Sequence, residues 1–197
     1  MMQSSGHSFL PDPVLSEKGD EIGARLLDYA DQVAPEDLPA LMDALLRDLF
    51  EGAMERVGAD SGTIWLADKE RTKLVVGYAH PIRELMGKEQ PLDEGLISLV
   101  LASEQGICEH DVYRNEQHSK RIDEALGKVT CAMIAVPIYL GGALRGVISA
   151  VQWKKDSDAP DPPGFTAKDL HRAQRLSKML ERALNYKLLK IILDLNA

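Results

Sequence analysis

Apolar residues first recur at helical spacing from Asp20, where Ile22, Leu26, Tyr29 and Val33 predict a short amphipathic helix that Pro35 interrupts. The residues before it, Met1 to Ser16, combine Pro11, Pro13 and several serines without periodicity and read as a flexible leader. From Asp37 a wider stripe, Leu38, Leu41, Met42, Leu45, Leu49 and Val57, predicts a longer helix with Pro39 in its first turn and Gly58 as its stop. Two β-branched and aromatic runs on either side of Asp68 to Thr72 predict a hairpin. After the turn residues Pro81 and Pro91, Asp93 is positioned to cap a helix through Leu96, Leu99 and Val100. That helix ends near Gln105-Gly106 and leads into a strand over Ile107 to Val112.

The segment from Tyr113 to Lys120 is polar and irregular, and Ile122, Ala125 and Leu126 suggest a helical turn or two. The clearest element is a pair of apolar runs, Cys131 to Leu140 and Ala143 to Trp153, joined by Gly141-Gly142, a dipeptide suited to the positive φ of a tight turn. Strand alternation sends Met133, Ala135 and Tyr139 to one face and Ile134, Val136 and Ile138 to the other, so both faces of this sheet are covered. A proline-rich loop over Asp156 to Gly164 follows, and Thr166 with Asp169 forms a capping box that opens a helix running nearly to Ala197. The sequence of elements predicts an α+β fold, an antiparallel sheet with helices on both faces and long terminal helices. The chain divides into a leader (1–16), an N-terminal helix (17–35), a core domain (36–189) and an extension of the last helix (190–197).

Composition narrows the function classes. Over 197 residues the formal net charge is −8, which argues against a broad electrostatic footprint for nucleic acid or an anionic membrane. No run approaches the roughly 20 apolar residues of a membrane span, and no secretory leader precedes the first helix, so a cytoplasmic location is expected. Cys108 and Cys131 fit neither a disulfide framework nor a zinc ribbon nor a CxxC redox pair, and are expected to be reduced, buried thiols.

Four segments resemble the GAF domain family of bacterial signalling proteins: GADSGTIWLAD, DEGLISLVLASEQGICEHDV, CAMIAVPIYLGGALRGVISAV and FTAKDLHRAQRLSKMLERAL. Their order and spacing over Asp37 to Leu189 carry the likeness. The resemblance implies a sheet of about six antiparallel strands, with dimer-forming helices on one face. A small-ligand pocket would lie on the other face, beneath the middle helices and loops, and a signal would pass through the terminal helices to an output domain or partner protein. Three departures bear on the ligand. Ser98 replaces the second glycine of the GLxGxV pattern at Gly95 to Val100, the NKFDE-type set of cyclic-nucleotide-binding members is absent, and neither cysteine is followed by the histidine of the bilin-attachment site. The cofactor is therefore unknown, and none is expected to be covalently attached.

Candidate chemistry is sparse. Cys108, His110 and Asp111 sit close together, but strand alternation separates Asp111 from the other two, so no metal is expected. Free-methionine sulfoxide reductases share the GAF fold and use cysteines in the same middle region, which makes a thiol enzyme the alternative reading and a ligand-free dimerisation scaffold the third. The GHIACD-like segment of those reductases is not present. The ligand-contacting residues suggested by the resemblance and by strand alternation are Tyr113, His118, Arg121, Ile122, Met133 and Ala135, with Arg121 as a clamp for an anion. The last helix would extend roughly 45 Å and project beyond its own sheet. A homodimer is expected through Ile22, Leu26, Leu176, Leu180, Leu184, Leu188 and Ile191.

Overall fold

The computed structural model describes residues 13–156 and 158–194. Six antiparallel strands form one sheet in the order β3-β2-β1-β6-β5-β4. They are β1 (Ser61–Ala67), β2 (Lys73–His80), β3 (Glu89–Pro91), β4 (Ile107–His110), β5 (Val129–Leu140) and β6 (Ala143–Lys154). The helices are α1 (Pro13–Gln32), α2 (Leu38–Leu41), α3 (Ala44–Val57), α4 (Gly95–Ser103), α5 (Arg121–Leu126) and α6 (Ala167–Ile192).

The central hairpin forms as its pattern predicts. Gly141 and Gly142 both take positive φ, 59° and 90°, and a Cβ on Gly141 would come within 2.7 Å of Ala30 in α1. Only glycine satisfies both the turn and the close approach of that helix. Alternation along β5 splits the interior in two. Ile134, Val136 and Ile138 join the core beneath α1, α3 and α6, whereas Met133 and Ala135 join the core beneath α4 and α5.

Several elements differ from the sequence expectation. Helix α1 begins at Pro13, inside the expected leader; residues 16–21 are exposed, so no buried stripe marks this part of it. Residues 1–12 lie outside the described residues. The expected helix from Asp37 is broken after Leu41, because Asp43 caps a new helix by accepting a hydrogen bond from Leu46 N at 3.0 Å. Asp93 does not cap α4, whose N-cap is Glu94 without a side-chain bond. Strand β4 stops at His110, and β3 is a three-residue edge strand ending in Pro91.

The expected dimer stripe is the largest correction. Leu176, Leu180, Leu184 and Leu188 are buried within the chain, at 3%, 0%, 0% and 0% exposure. Helix α6 does not project. It lies along β5, where Ser177 Oγ donates to Pro137 O at 2.6 Å and Tyr139 N donates to Glu181 at 3.1 Å. Ile22, Leu26 and Ile191 are half-buried, and the two terminal helices pack against each other. The stripe is wide because α6 must cover both the sheet and its two neighbouring helices.

Candidate functional site

Strands β1 and β6 run side by side with Thr63 opposite Ser149 and Ser61 opposite Val151. These positions face away from α3 and α6 and form the floor of a chamber of ≈50 Å³, together with Trp65, Trp153, Val76, Thr130 and Met133. Its roof comes from Leu96 and Ile97 of α4, Ile122 and Asp123 of α5, His118 and Ser119 of the preceding loop, Leu85 and Gln90. Most of the wall is apolar, and the polar groups on it are spaced and specific.

On the floor, the Trp65 indole N–H donates to Thr63 Oγ1 at 2.7 Å, and Thr63 Oγ1 bonds Ser149 Oγ at 2.7 Å. Ser61 is 2% exposed, and its Oγ has no hydrogen-bond partner among the described residues. At the wall, His118 Nε2 lies 3.1 Å from Asp123 Oδ2, and Asp123 also accepts from Thr130 N at 3.0 Å and Thr130 Oγ1 at 2.5 Å. Burial alone would raise the Asp123 carboxyl, but the bonds from His118 and Thr130 together outweigh it and hold the group below its ordinary value.

The lid is tied down from outside. Glu94, at the start of α4, accepts from Ser119 Oγ at 2.6 Å and from Arg121 Nε at 3.1 Å. Ser98, at the position of the family pattern's second glycine, donates to Pro91 O at 3.0 Å and lies 3.2 Å from Gln90 Nε2, joining α4 to the edge strand.

Of the six expected ligand contacts, the structure brings His118, Ile122 and Met133 to this chamber. The other three lie elsewhere. Tyr113 points outward, donating to Asp161 at 3.1 Å with Lys154 Nζ 4.5 Å from its ring centre. Arg121 is the exposed partner of Glu94, outside the chamber lining, and Ala135 is packed in the core at 0% exposure. The serines, Thr63, Asp123 and both tryptophans were missed. For Ser61, Thr63 and Ser149 the signal is a hydroxyl among apolar neighbours on β1 and β6; Asp123 and the tryptophans carry no such signal.

Neither thiol lines this chamber. Cys108 packs against the core on the α6 side with Sγ 3.9 Å from Thr166 O, and Cys131 Sγ lies 3.7 Å from Asp161 Oδ1. Burial raises both thiols above their ordinary value. Among the described residues no three His, Cys, Asp or Glu side chains converge as metal ligands, and no helix is long and apolar enough to cross a membrane.

The sheet order, helices on both faces and a chamber beneath α4 and α5 agree with a family model for the GAF domain that matches residues 40–185. The chain belongs to the GAF domain family. Among solved structures, the GAF domain of a phosphoenolpyruvate-protein phosphotransferase from Coxiella burnetii is 18% identical, with a TM-score of 0.59 over 84% of this chain and 92% of that one. The corresponding domain from Acinetobacter is 16% identical, with a TM-score of 0.56 over 86% and 93%. Free methionine-R-sulfoxide reductase from Neisseria meningitidis, solved in complex with its substrate, is 18% identical, with a TM-score of 0.55 over 90% and 93%. At these identities the likeness is one of GAF fold. No curated protein matches the sequence.

Proposed function

We propose that this GAF domain is a sensory module whose chamber takes a small ligand and whose occupancy is relayed to the terminal helices. One observation carries the reading. Strand β6 lines the chamber with Ser149, Val151 and Trp153, and its Arg145 holds the end of α1. Arg145 is 1% exposed and donates to the backbone oxygens of Asp31 at 2.6 Å and Val33 at 2.8 Å. A shift of β6 on ligand binding would move that anchor, because a strand paired on both sides transmits displacement along its length. The positions of both thiols, away from the chamber wall, favour this reading over a thiol-dependent reductase.

The test has two parts. Native mass spectrometry of protein purified from cells should show a retained small molecule. Ser149→Val, which adds bulk to the chamber floor, should change amide hydrogen exchange over residues 26–33. An empty chamber together with unchanged exchange in α1 would overturn the relay.

The module acts as a homodimer in this reading, through the outer face of α3 and α6. Leu45, Met179 and Tyr186 are exposed there at 74%, 51% and 64%. In a chain of net charge −8, α6 is basic, with Arg172, Arg175 and Arg182 facing solvent, whereas the exposed charges of α3 balance, Asp48 and Glu55 against Arg47 and Arg56. A two-fold contact through this face covers the three apolar side chains.

A further inference from the structure

Hydrogen-bond accounting on the chamber floor leaves protons unspent. An indole N–H only donates, so Trp65 fills an acceptor site on Thr63 Oγ1, and the Thr63–Ser149 bond then uses one of the two hydroxyl protons in that pair. Whichever hydroxyl donates, the other proton has no acceptor among the described residues. The Ser61 hydroxyl, buried with no partner, adds a second. Two O–H donors on one floor therefore face an interior space with nothing to receive them, an arrangement that calls for an acceptor in that space.

The charge of the wall decides what kind of acceptor. No lysine or arginine lines the chamber, and Asp123 does. A buried anion would meet the Asp123 carboxylate and no lysine or arginine. A cation would have to compete for a carboxylate already engaged by His118 and Thr130. The space itself is small. At about 10–15 Å³ for each water-sized group, ≈50 Å³ holds only a few heavy atoms, and Met133, Ile122 and Trp153 offer them an apolar surface.

We propose that the chamber selects a compact, uncharged molecule with a carbonyl-type oxygen, held by the Ser61 hydroxyl and the free hydroxyl of the Thr63–Ser149 pair. This rests on the reading of the chamber as a ligand site. It sets aside phosphate- and carboxylate-bearing ligands, whose charge no lysine or arginine of the wall balances.

The chain has two tryptophans, Trp65 and Trp153, and both line the chamber, so its intrinsic fluorescence reports on this site. Propionamide, propionate and propylammonium share a size and differ in charge. Titration with propionamide should give a saturable change at millimolar concentration, with the two ions at least roughly tenfold weaker. Ser61→Ala, and Thr63→Val combined with Ser149→Ala, should each weaken propionamide by roughly three- to tenfold, while the exposed Ser103→Ala leaves it unchanged. Propionate or propylammonium binding as tightly as propionamide overturns the proposal and leaves the sensory reading standing. So does a charged molecule retained in native mass spectrometry. Absence of saturation with all three probes overturns the proposal; an empty chamber in cell-derived protein is the separate result that overturns the site.

Discussion

Arg145 Nη1 donates both to the backbone oxygen of Asp31, at 2.6 Å, and to its carboxylate, at 2.8 Å, so a buried guanidinium on the central hairpin closes the last turn of α1. Its Nη2 reaches Val33 O at 2.8 Å, one residue beyond that turn. The exposed Arg71 donates to the same Asp31 oxygen at 2.8 Å. That bond, with those from Arg145, holds the carboxyl below its ordinary value against the opposing effect of burial. The orphan carbonyls at a helix end are thus satisfied from another element, which fixes α1 to the sheet.

Replacing Arg145 should accordingly cost more than replacing Asp31. Arg145→Ala leaves a buried void and uncapped carbonyls, and should destabilise the fold by about 2–4 kcal/mol. Arg145→Lys should recover little, because an ammonium cannot span three acceptors as a planar fork does. Asp31→Asn, at a half-exposed side chain, should cost under about 1 kcal/mol. Denaturant unfolding gives all three values, and an Arg145→Ala protein as stable as the parent would refute the anchor.

The helix layer separates folding from association. Leu184→Asp buries a charge at a position with 0% exposure, and should unfold the chain instead of dissociating it. Met179→Asp with Tyr186→Asp alters only exposed positions, and should leave the circular dichroism spectrum and melting temperature intact while reducing the mass measured by light scattering. A parent protein of single-chain mass at micromolar concentration would remove the dimer.

How far the sequence could be read depended on what each pattern reports. Alternation placed Met133 and Ile134 on opposite faces, and the Gly141-Gly142 pair located the turn, because both follow from local geometry. The apolar stripe of α6 reported that Leu184 and Leu188 are covered, but periodicity does not say by what, and the chain's own sheet and helices turned out to be the cover. The three-residue strand β3 lies below the length at which any period shows. Ser61, Thr63 and Ser149 were legible in principle, as hydroxyls on strands whose two faces are both covered. The lid was not, because Arg121 carries the same charge whether it clamps a ligand or pairs with Glu94, and only the fold brings residue 94 to residue 121.

That outer pair gives a kinetic prediction. Arg121 is exposed, so Arg121→Ala should change global stability by less than about 1 kcal/mol. It also loosens the segment that carries His118 and Ser119 over the chamber. Acrylamide should then quench Trp65 and Trp153 more effectively than in the parent protein, and Glu94→Gln should act in the same direction. Unchanged quenching in both variants would mean that the lid does not depend on this contact.

Acid should open the same wall from inside. The folded-state value of Asp123 lies below its unfolded value, so the group contributes stability that is fully present above the unfolded value, near 3.9, and lost as pH falls through the folded one. Between pH 7 and about 5 this carboxylate therefore adds no pH dependence, and its effect is confined to below about pH 4. Once protonated, it accepts more weakly from His118 and Thr130, so α5 loses its attachment to the start of β5. Because Trp65 and Trp153 border this wall, their fluorescence should change on acidification before far-ultraviolet circular dichroism reports loss of the sheet. In Asp123→Asn the early fluorescence step should vanish and the two signals should coincide, since Asn keeps an oxygen for Thr130 but has no charge to lose. An acid fluorescence profile identical in the two proteins would show that the His118–Asp123 pair does not hold the chamber closed.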